Sequence, residues 1–165
     1  MKNKPGTLLI ELMIAIAIIA ALATIAIPSF KFMDRQLLSV EVERLYSTVT
    51  QLQRKAMLTS TNQTLKFDNN LYNFDKQKHS LPKNLTFGFL HNVKGPPATP
   101  SKTITSAVTF PGKKITFYAD GKISPGTAYL IDEANKFMYA VTVPVSEVSY
   151  IRKYQFKNGT WFLIS

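Results

Sequence analysis

The feature that most constrains this chain is an apolar run near its N-terminus. Residues 7–27 form a stretch of 21 residues in which Glu11 is the only charged side chain. As an α-helix the stretch would be about 31 Å long, since each residue adds about 1.5 Å, and this length matches the hydrocarbon core of a bilayer. Lys2 and Lys4 precede the run. The positive-inside rule then places the N-terminus in the cytoplasm and sends the remainder of the chain across the membrane.

Glu11 distinguishes the alternative interpretations of this run. A carboxylate at the centre of a spanning helix costs about 2.5–3.5 kcal/mol on insertion scales, and less near its end. One interpretation is a secretory signal peptide with a basic region over residues 1–7, an apolar core over 12–20 and a cleavage site at 21–23, which predicts a mature chain beginning at Thr24. A second is a plain single-pass anchor, which explains the length and the lysines but gives Glu11 no role.

A third interpretation gives Glu11 a role. Gly6 is followed by five residues that end in Glu11, and an apolar helix continues from there. This arrangement resembles the prepilin motif of type IV pilins and type II secretion pseudopilins. The resemblance implies cleavage after Gly6 by a prepilin peptidase, N-methylation of the new terminus at Thr7, and pairing of Glu11 with the terminal amine of a neighbouring subunit during filament assembly. A carboxylate that meets an ammonium inside a helix bundle is compensated, and the pair fixes axial register.

A helical pattern continues beyond the apolar run. Pro28 ends the run, as a proline does in the pilin family, and it removes one backbone hydrogen bond and permits a kink. Apolar residues then recur at alternating spacings of four and three: Leu38, Val42, Leu45, Val49, Leu52 and Ala56. This stripe predicts an amphipathic helix that packs on the protein's own sheet. We therefore predict one long helix over residues 7–59, with a transmembrane half and an amphipathic half.

Beyond residue 62 the pattern changes to short runs rich in branched and aromatic residues, separated by turn formers. The predicted strands cover residues 64–67, 71–74, 85–89, 115–118, 127–131, 137–143, 148–156 and 161–164. Tight turns are predicted at Asp120-Gly121 and Asn158-Gly159, and an exposed loop is predicted over residues 90–106. A long helix followed by an antiparallel, β-rich head is an α+β arrangement.

The head carries a second, weaker resemblance. Residues 115–122 end in Phe117-Tyr118-Ala119-Asp120-Gly121, a glycine-containing turn follows, and another strand begins near residue 127. This pattern is similar to the minor pseudopilin H and FimT family, whose domain is called GspH/FimT. The resemblance implies a pilin fold divided into a leader (1–6), a transmembrane helix half (7–27), an amphipathic helix half (28–61) and a globular head (62–165).

The same resemblance implies a function without catalysis. Such a protein is a minor structural subunit near the tip of a type II secretion pseudopilus or type IV pilus, where it primes assembly. It resides in the bacterial inner membrane with a periplasmic or extracellular head. The implied partners are other pilin or pseudopilin subunits, the prepilin peptidase, the inner-membrane assembly platform and membrane lipid.

The residues indicate neither an enzyme nor a cofactor or metal site. The chain has no cysteine, which excludes disulfides, thiol nucleophiles and cysteine-based metal sites. His79 and His91 are isolated in the sequence, and we interpret both as solvated loop residues rather than metal ligands. Trp161 is predicted to belong to the core.

DNA is the alternative partner. The chain carries 20 Lys+Arg against 10 Asp+Glu, a formal charge of +10 that favours anionic partners. In the FimT-like branch a basic motif near the C-terminus contacts DNA, and here Arg152, Lys153 and Lys157 are the candidate phosphate contacts. Strand alternation places Arg152 and Lys153 on opposite faces unless a bulge intervenes. Lys113, Lys114 and Lys122 are further candidates.

Overall fold

The computed structural model describes residues 5–98, 100–134, 136–145 and 150–164, and within its helix the side chains of residues 5–8 and 23–34 lie outside the description. The described residues form one α-helix, a short 3-10 helix at Pro111–Lys113, and nine strands. The helix and strands are α1 (Pro5–Thr59), β1 (Gln63–Asp68), β2 (Leu71–Phe74), β3 (Gln77–Ser80), β4 (Leu85–Phe87), β5 (Lys114–Phe117), β6 (Gly126–Asp132), β7 (Met138–Val143), β8 (Arg152–Lys157) and β9 (Thr160–Ile164). The chain divides into two compact units, Met1–Gln36 and Leu37–Ser165.

The described part of the first unit is helical, and the side chains described in it, those of residues 9–22 and 35–36, are all exposed. Within the residues that the structure describes, no helix is both long enough and apolar enough to span a membrane.

The second unit contains two antiparallel sheets. The first, which we call sheet A, has the strand order β3-β2-β1-β5, and the second, sheet B, has the order β4-β6-β7-β8-β9. Among the described residues, every pairing between neighbouring strands is antiparallel. The α+β class and the antiparallel head are therefore confirmed.

The C-terminal part of α1 supplies one side of the core of this unit. The six residues of the predicted stripe are all buried: Leu38, Val42, Leu45, Val49, Leu52 and Ala56. They share one apolar cluster with inward residues of both sheets, including Leu65 of β1 and Val141 of β7. The alternation of four and three keeps such residues on one face of a helix. The prediction that this stripe packs on the protein's own sheet is confirmed.

Two turns of the head have the predicted geometry. Asn158 and Gly159 have φ angles of 51° and 77°, as a two-residue type I′ hairpin requires, and they connect β8 to β9. At Asp120-Gly121, the Tyr118 amide donates to the Lys122 carbonyl at 2.9 Å and the Gly121 amide donates to the Tyr118 carbonyl at 3.0 Å. Both segments are tight turns, as the sequence predicts.

Some strand bounds differ from the predicted ones. β3 was not predicted, because its sequence Gln-Lys-His-Ser has no run of branched or aromatic residues. It forms because antiparallel pairing with β2 sets its register, with Tyr72 opposite His79. The predicted strand 148–156 begins later, as β8, at Arg152; residues 148 and 149 lie outside the described chain, and Tyr150 and Ile151 are not in a strand. β4 stops before Gly88.

Gly126, at the start of β6, lies close to both the ring and the backbone of Phe110. A Cβ atom there would lie 2.5 Å from Phe110 Cδ1 and 2.8 Å from Phe110 Cα. Contacts this short do not occur in real structures, and backbone cannot move aside as a flexible side chain can. Only glycine therefore fits this position without displacing the chain around Phe110.

Candidate functional site

The predicted processing and assembly residues lie on the helix of the first unit. Glu11 is exposed, whereas the side chains of Gly6, Thr7 and Pro28 lie outside the described residues, as does the start of the predicted leader. The large apolar residues described around Glu11 are between 54% and 67% exposed. They are Leu9, Ile10, Leu12, Met13, Ile14, Ile16, Ile18, Ile19 and Leu22. An apolar surface of this extent is typical of a segment that another chain or lipid covers.

The three predicted phosphate contacts do not share one surface of β8. Lys153 is buried, its Nζ lies 2.5 Å from Glu43 Oε2 of α1, and it lies 4.6 Å from the ring centre of Tyr46. Arg152 and Lys157 are exposed. Period-two alternation turns Lys153 toward the helix and Arg152 away from it. This placement corrects the grouping of Lys153 with Arg152, because the Lys153 ammonium is already paired inside the fold.

Arg152 sits among aromatic rings. Its guanidinium carbon lies 4.6 Å from the ring centre of Tyr150, and Nη1 donates to the Tyr154 hydroxyl at 3.5 Å. The hydrogen bond to Tyr154 raises the pKa of Arg152. The guanidinium is therefore charged, accessible and held beside a ring, an arrangement that suits contact with an anion.

A second set of cations lies on the outer face of sheet A. The strand register places Lys78 of β3 opposite Asn73 of β2, Asn73 opposite Lys66 of β1, and Lys66 opposite Lys114 of β5. We call Lys66, Lys78 and Lys114 the lysine row. The row spans about 14 Å, because neighbouring strands lie about 4.8 Å apart.

The lysine row is solvent-facing and not neutralised by the described part of the chain. Lys66 and Lys78 are exposed and Lys114 is half-buried, while the flanking residues Leu65 and Phe67 point into the core. No ion pair to any of the three lysines occurs among the described residues. Like charges directly opposite one another destabilise a sheet, so the pair of Lys66 and Lys114 brings an energetic cost. Of this row, sequence reasoning singled out only Lys114, because the other two become its neighbours through strand pairing.

His79 joins a polar cluster between sheet A and the helix. Its Nε2 lies 2.8 Å from Glu41 Oε2, and Arg44 Nη1 lies 3.5 Å from Glu41 Oε1. Glu41 is buried on α1, and His79 is half-buried on β3. The interpretation of His79 as a solvated loop residue was wrong, since β3 turns its side chain toward the helix. His91 is exposed in a turn, as expected.

Tyr72 of β2 lies beside this polar cluster, with its ring centre 5.0 Å from that of His79. Burial raises the pKa of Tyr72, and the hydroxyl of Thr48 acts in the opposite direction. Within the described chain no three or more His, Asp or Glu side chains are grouped closely enough to hold a metal ion. The cluster thus consists of paired groups that link helix and sheet.

An open groove of about 610 Å³ runs beside β9. Its lining includes Val93, Lys94, Pro97, Phe156, Thr160 and Trp161. Trp161 was predicted to be a core residue, but it is only half-buried: its ring packs 5.1 Å from that of Phe156, and its Nε1 donates to the Lys94 carbonyl at 2.8 Å. The loop that carries Lys94 therefore rests against β9 and leaves the groove open.

The chain has been compared with protein families, curated proteins and solved structures. No protein-family model matches the chain, and no curated protein matches it. Among solved structures, the chain is similar to the minor pseudopilin EpsH from the Type 2 Secretion System of Vibrio cholerae. The two are 14% identical, the match covers 78% of this chain and 96% of that chain, and the TM-score is 0.46.

Proposed function

We propose that this protein is a minor pilin or pseudopilin, a structural subunit without enzymatic activity in a type II secretion pseudopilus or type IV pilus. The observation that carries the proposal is Glu11. It lies at the fifth position after Gly6, on a helix whose described neighbours are exposed apolar side chains. A carboxylate in that setting needs a partner, and a terminal ammonium of a neighbouring subunit supplies one.

Assembly then follows from the charges of the N-terminal segment. The basic leader keeps the N-terminus in the cytoplasm while residues 7–27 cross the inner membrane. Prepilin peptidase cuts after Gly6, and Thr7 becomes the methylated terminus. The apolar helix moves from lipid into the filament core with little change in solvation, and the ion pair of Glu11 with a neighbouring terminus sets the axial register. Pro28 permits a bend where the helix leaves the membrane.

The head serves contacts at or near the tip, where a minor subunit primes assembly on the inner-membrane platform. The buried stripe of α1 supports a folded head, because it packs against residues of both sheets. The head would lie in the periplasm or outside the cell.

The first test replaces Glu11. We expect Glu11→Ala to preserve membrane insertion and cleavage, because it removes a charge from the spanning segment. We also expect it to lower the amount of subunit in sheared filaments by at least about tenfold, because that is the effect of losing one compensated ion pair of about 1.4 kcal/mol or more. Met13→Ala, at a neighbouring exposed apolar residue, is the matched control and should assemble normally. Normal filament content for Glu11→Ala would exclude the proposed role.

A second measurement identifies the N-terminus. Intact mass and N-terminal sequencing of protein from native membranes should give a methylated Thr7. A chain that begins at Thr24 would leave Glu11 in a discarded signal peptide and would withdraw the pilin proposal.

A second candidate function, contact with DNA during uptake, is favoured by the lysine row. Lys66, Lys78 and Lys114 align across sheet A without acidic partners among the described residues. Lysine ammoniums in a line suit the phosphates of a nucleic-acid backbone, and neutralising them releases counterions. Arg152 beside Tyr150 is a separate contact point on sheet B.

The DNA hypothesis predicts a defined salt dependence. If three lysines neutralise three phosphates of duplex DNA, the logarithm of the binding constant falls with the logarithm of salt concentration with a slope of roughly −2.7. The triple variant Lys66→Glu, Lys78→Glu and Lys114→Glu should abolish binding of the full chain in detergent micelles. The charge-matched control Lys83→Glu, Lys102→Glu and Lys136→Glu changes three exposed lysines outside the lysine row. If the triple variant and the control lose DNA binding equally, net charge alone explains the effect. If only a further variant, Arg152→Glu, loses DNA binding, the contact lies on sheet B.

A further inference from the structure

The two sheets of the head end in four edge strands, and three of these are protected against pairing with another chain. Edge strands expose unpaired backbone groups, and short length or a lysine is a common protection. β4 has three residues, β3 carries Lys78 and β5 begins with Lys114. β5 is also bridged on one side by Ile123, opposite Phe117.

The fourth edge, β9, lacks this protection. Its sequence Thr-Trp-Phe-Leu-Ile contains no charge and no proline, and all of its residues except Leu163 are of types enriched in strands. It pairs with β8 on one side, and no described residue bridges its other side. An uncharged apolar edge of this kind is a template for another strand.

The side chains of β9 are also incompletely covered. Phe162 is 52% exposed and Leu163 is 60% exposed, and because they are successive residues they stand on opposite faces of sheet B. Trp161 faces the groove described above. A strand that paired with β9 would thus cover apolar surface on both faces at once.

The charges around β9 indicate the partner's chemistry. Lys157 lies opposite Thr160 at one end of the strand, and Arg152 lies just beyond the pair of Lys153 with Ile164 at the other end. Lys94 lines the groove, and none of the described residues that line it is acidic. Lys153 is neutralised by Glu43, which leaves Arg152, Lys157 and Lys94 as the exposed cations. Strand alternation places Arg152 and Lys157 on opposite faces of sheet B, so these cations attract carboxylates on both sides of β9 and repel a second copy of the same chain.

We propose that β9 is a docking edge for an extended, acidic segment of a partner protein, which adds to sheet B as a sixth strand. Main-chain hydrogen bonds to β9 provide the affinity, an apolar side chain of the partner enters the groove over Trp161, and carboxylates meet Lys157 and Arg152. The proposal goes beyond the filament function and does not depend on Glu11 or on the lysine row.

The experiment uses Trp161 as its reporter, because it is the single tryptophan of the chain. The probe is a short synthetic peptide with blocked ends, a central run of valines and two successive glutamates at each end, so that each end presents a carboxylate to both faces of the sheet; it is titrated into the full chain in detergent micelles. We expect a saturable change in tryptophan fluorescence. A valine and lysine peptide of the same length should bind at least about tenfold more weakly, as the inversion of two or three charge pairs implies. A glutamate peptide with N-methylated backbone should not bind, because it cannot pair with a strand.

Variants then locate the contact. Leu163→Glu places a carboxylate on the exposed edge, where it repels the glutamate peptide, and should weaken its binding by at least about tenfold. The control Leu58→Glu, at a residue of α1 that is 85% exposed, should leave binding unchanged. The proposal is overturned if the glutamate peptide does not bind, if the N-methylated peptide binds equally well, or if both variants lose binding alike. It is also overturned if protein concentration alone produces the fluorescence change, since β9 would then pair with a second copy.

Discussion

At the scale of single residues, Glu41 is a carboxylate that links the helix to sheet A. It is buried on α1, and it faces His79 of β3 and Arg44 of its own helix at 2.8 and 3.5 Å. Arg44 is about half exposed, so water screens part of its attraction. His79 is the closer partner, and it is the contact that joins two elements far apart in the sequence.

Replacing this carboxylate should destabilise the head. Glu41→Gln removes the charge that both partners face, and we expect the free energy of unfolding to fall by about 2–3 kcal/mol, below the full cost of breaking a buried pair because one partner is partly solvated. Urea unfolding of the full chain in detergent micelles, followed by circular dichroism, measures the change. The control Asp120→Asn alters a pair with Lys122 in which both side chains are more than half exposed, and its urea midpoint should not move. Equal effects in the two variants would contradict the account of Glu41.

At the scale of elements, the C-terminal part of α1 has one buried side and one exposed side. Leu45 is fully buried in the main cluster, whereas Leu58, on the last turns of the same helix, is 85% exposed. The burial of the stripe, rather than helix propensity, holds this part of the helix on the head, since helices gain most of their stability from packing.

The two leucines therefore predict opposite results for the same substitution. Leu45→Ala leaves a cavity in the core and should lower the free energy of unfolding by about 2–5 kcal/mol. Leu58→Ala changes only a solvated side chain, so its free energy of unfolding should stay within about 0.5 kcal/mol of that of the unchanged chain. Chemical denaturation of both variants measures the free energy of unfolding. If Leu45→Ala lowers it by as little as Leu58→Ala does, the stripe is not packed.

Sheet B shows how tertiary pairing rearranges sequence neighbours at this scale. Alternation along β8 puts Lys153 against Glu43 and leaves Arg152 outside, beside Tyr150. These two basic residues, adjacent in the sequence, therefore have different environments. The lysine row shows the converse, since Lys66, Lys78 and Lys114 are distant in sequence and adjacent through strand register.

At the scale of the whole molecule, we expect the stability of the head to fall at alkaline pH because the head contains buried tyrosines. Tyr129 of β6 is 2% exposed, and burial raises its pKa to about 12 from the ordinary tyrosine value of 10.0, with a smaller opposing effect from the hydroxyl of Thr127. The folded chain therefore keeps a proton that the unfolded chain releases above pH 10. The stabilisation is complete below pH 10 and is lost as the pH rises toward 12.

Tyr129→Phe tests this dependence. The variant lacks the titrating hydroxyl, so its urea midpoint should fall less steeply between pH 10 and about 12 than that of the unchanged chain. The urea midpoint of the variant should still fall somewhat with pH, because burial also raises the pKa of Tyr72. Tyr118→Phe, at an exposed tyrosine, is the control and should retain the original slope. Identical slopes for Tyr129→Phe and the unchanged chain would contradict the burial argument.

The sequence alone determined the features that rest on local periodicity and turn chemistry. The stripe from Leu38 to Ala56, most of the strands and the turn at Asn158-Gly159 could be predicted because side-chain period and backbone preference act over a few residues. The motif from Gly6 to Glu11 is likewise local, and the proposed filament function depends on it. The tertiary structure alone decided which distant residues meet. The pairing of His79 with Glu41, the inward turn of Lys153, the lysine row and the unprotected edge at β9 all depend on strand order and register, which are set by long-range burial and which no local pattern encodes.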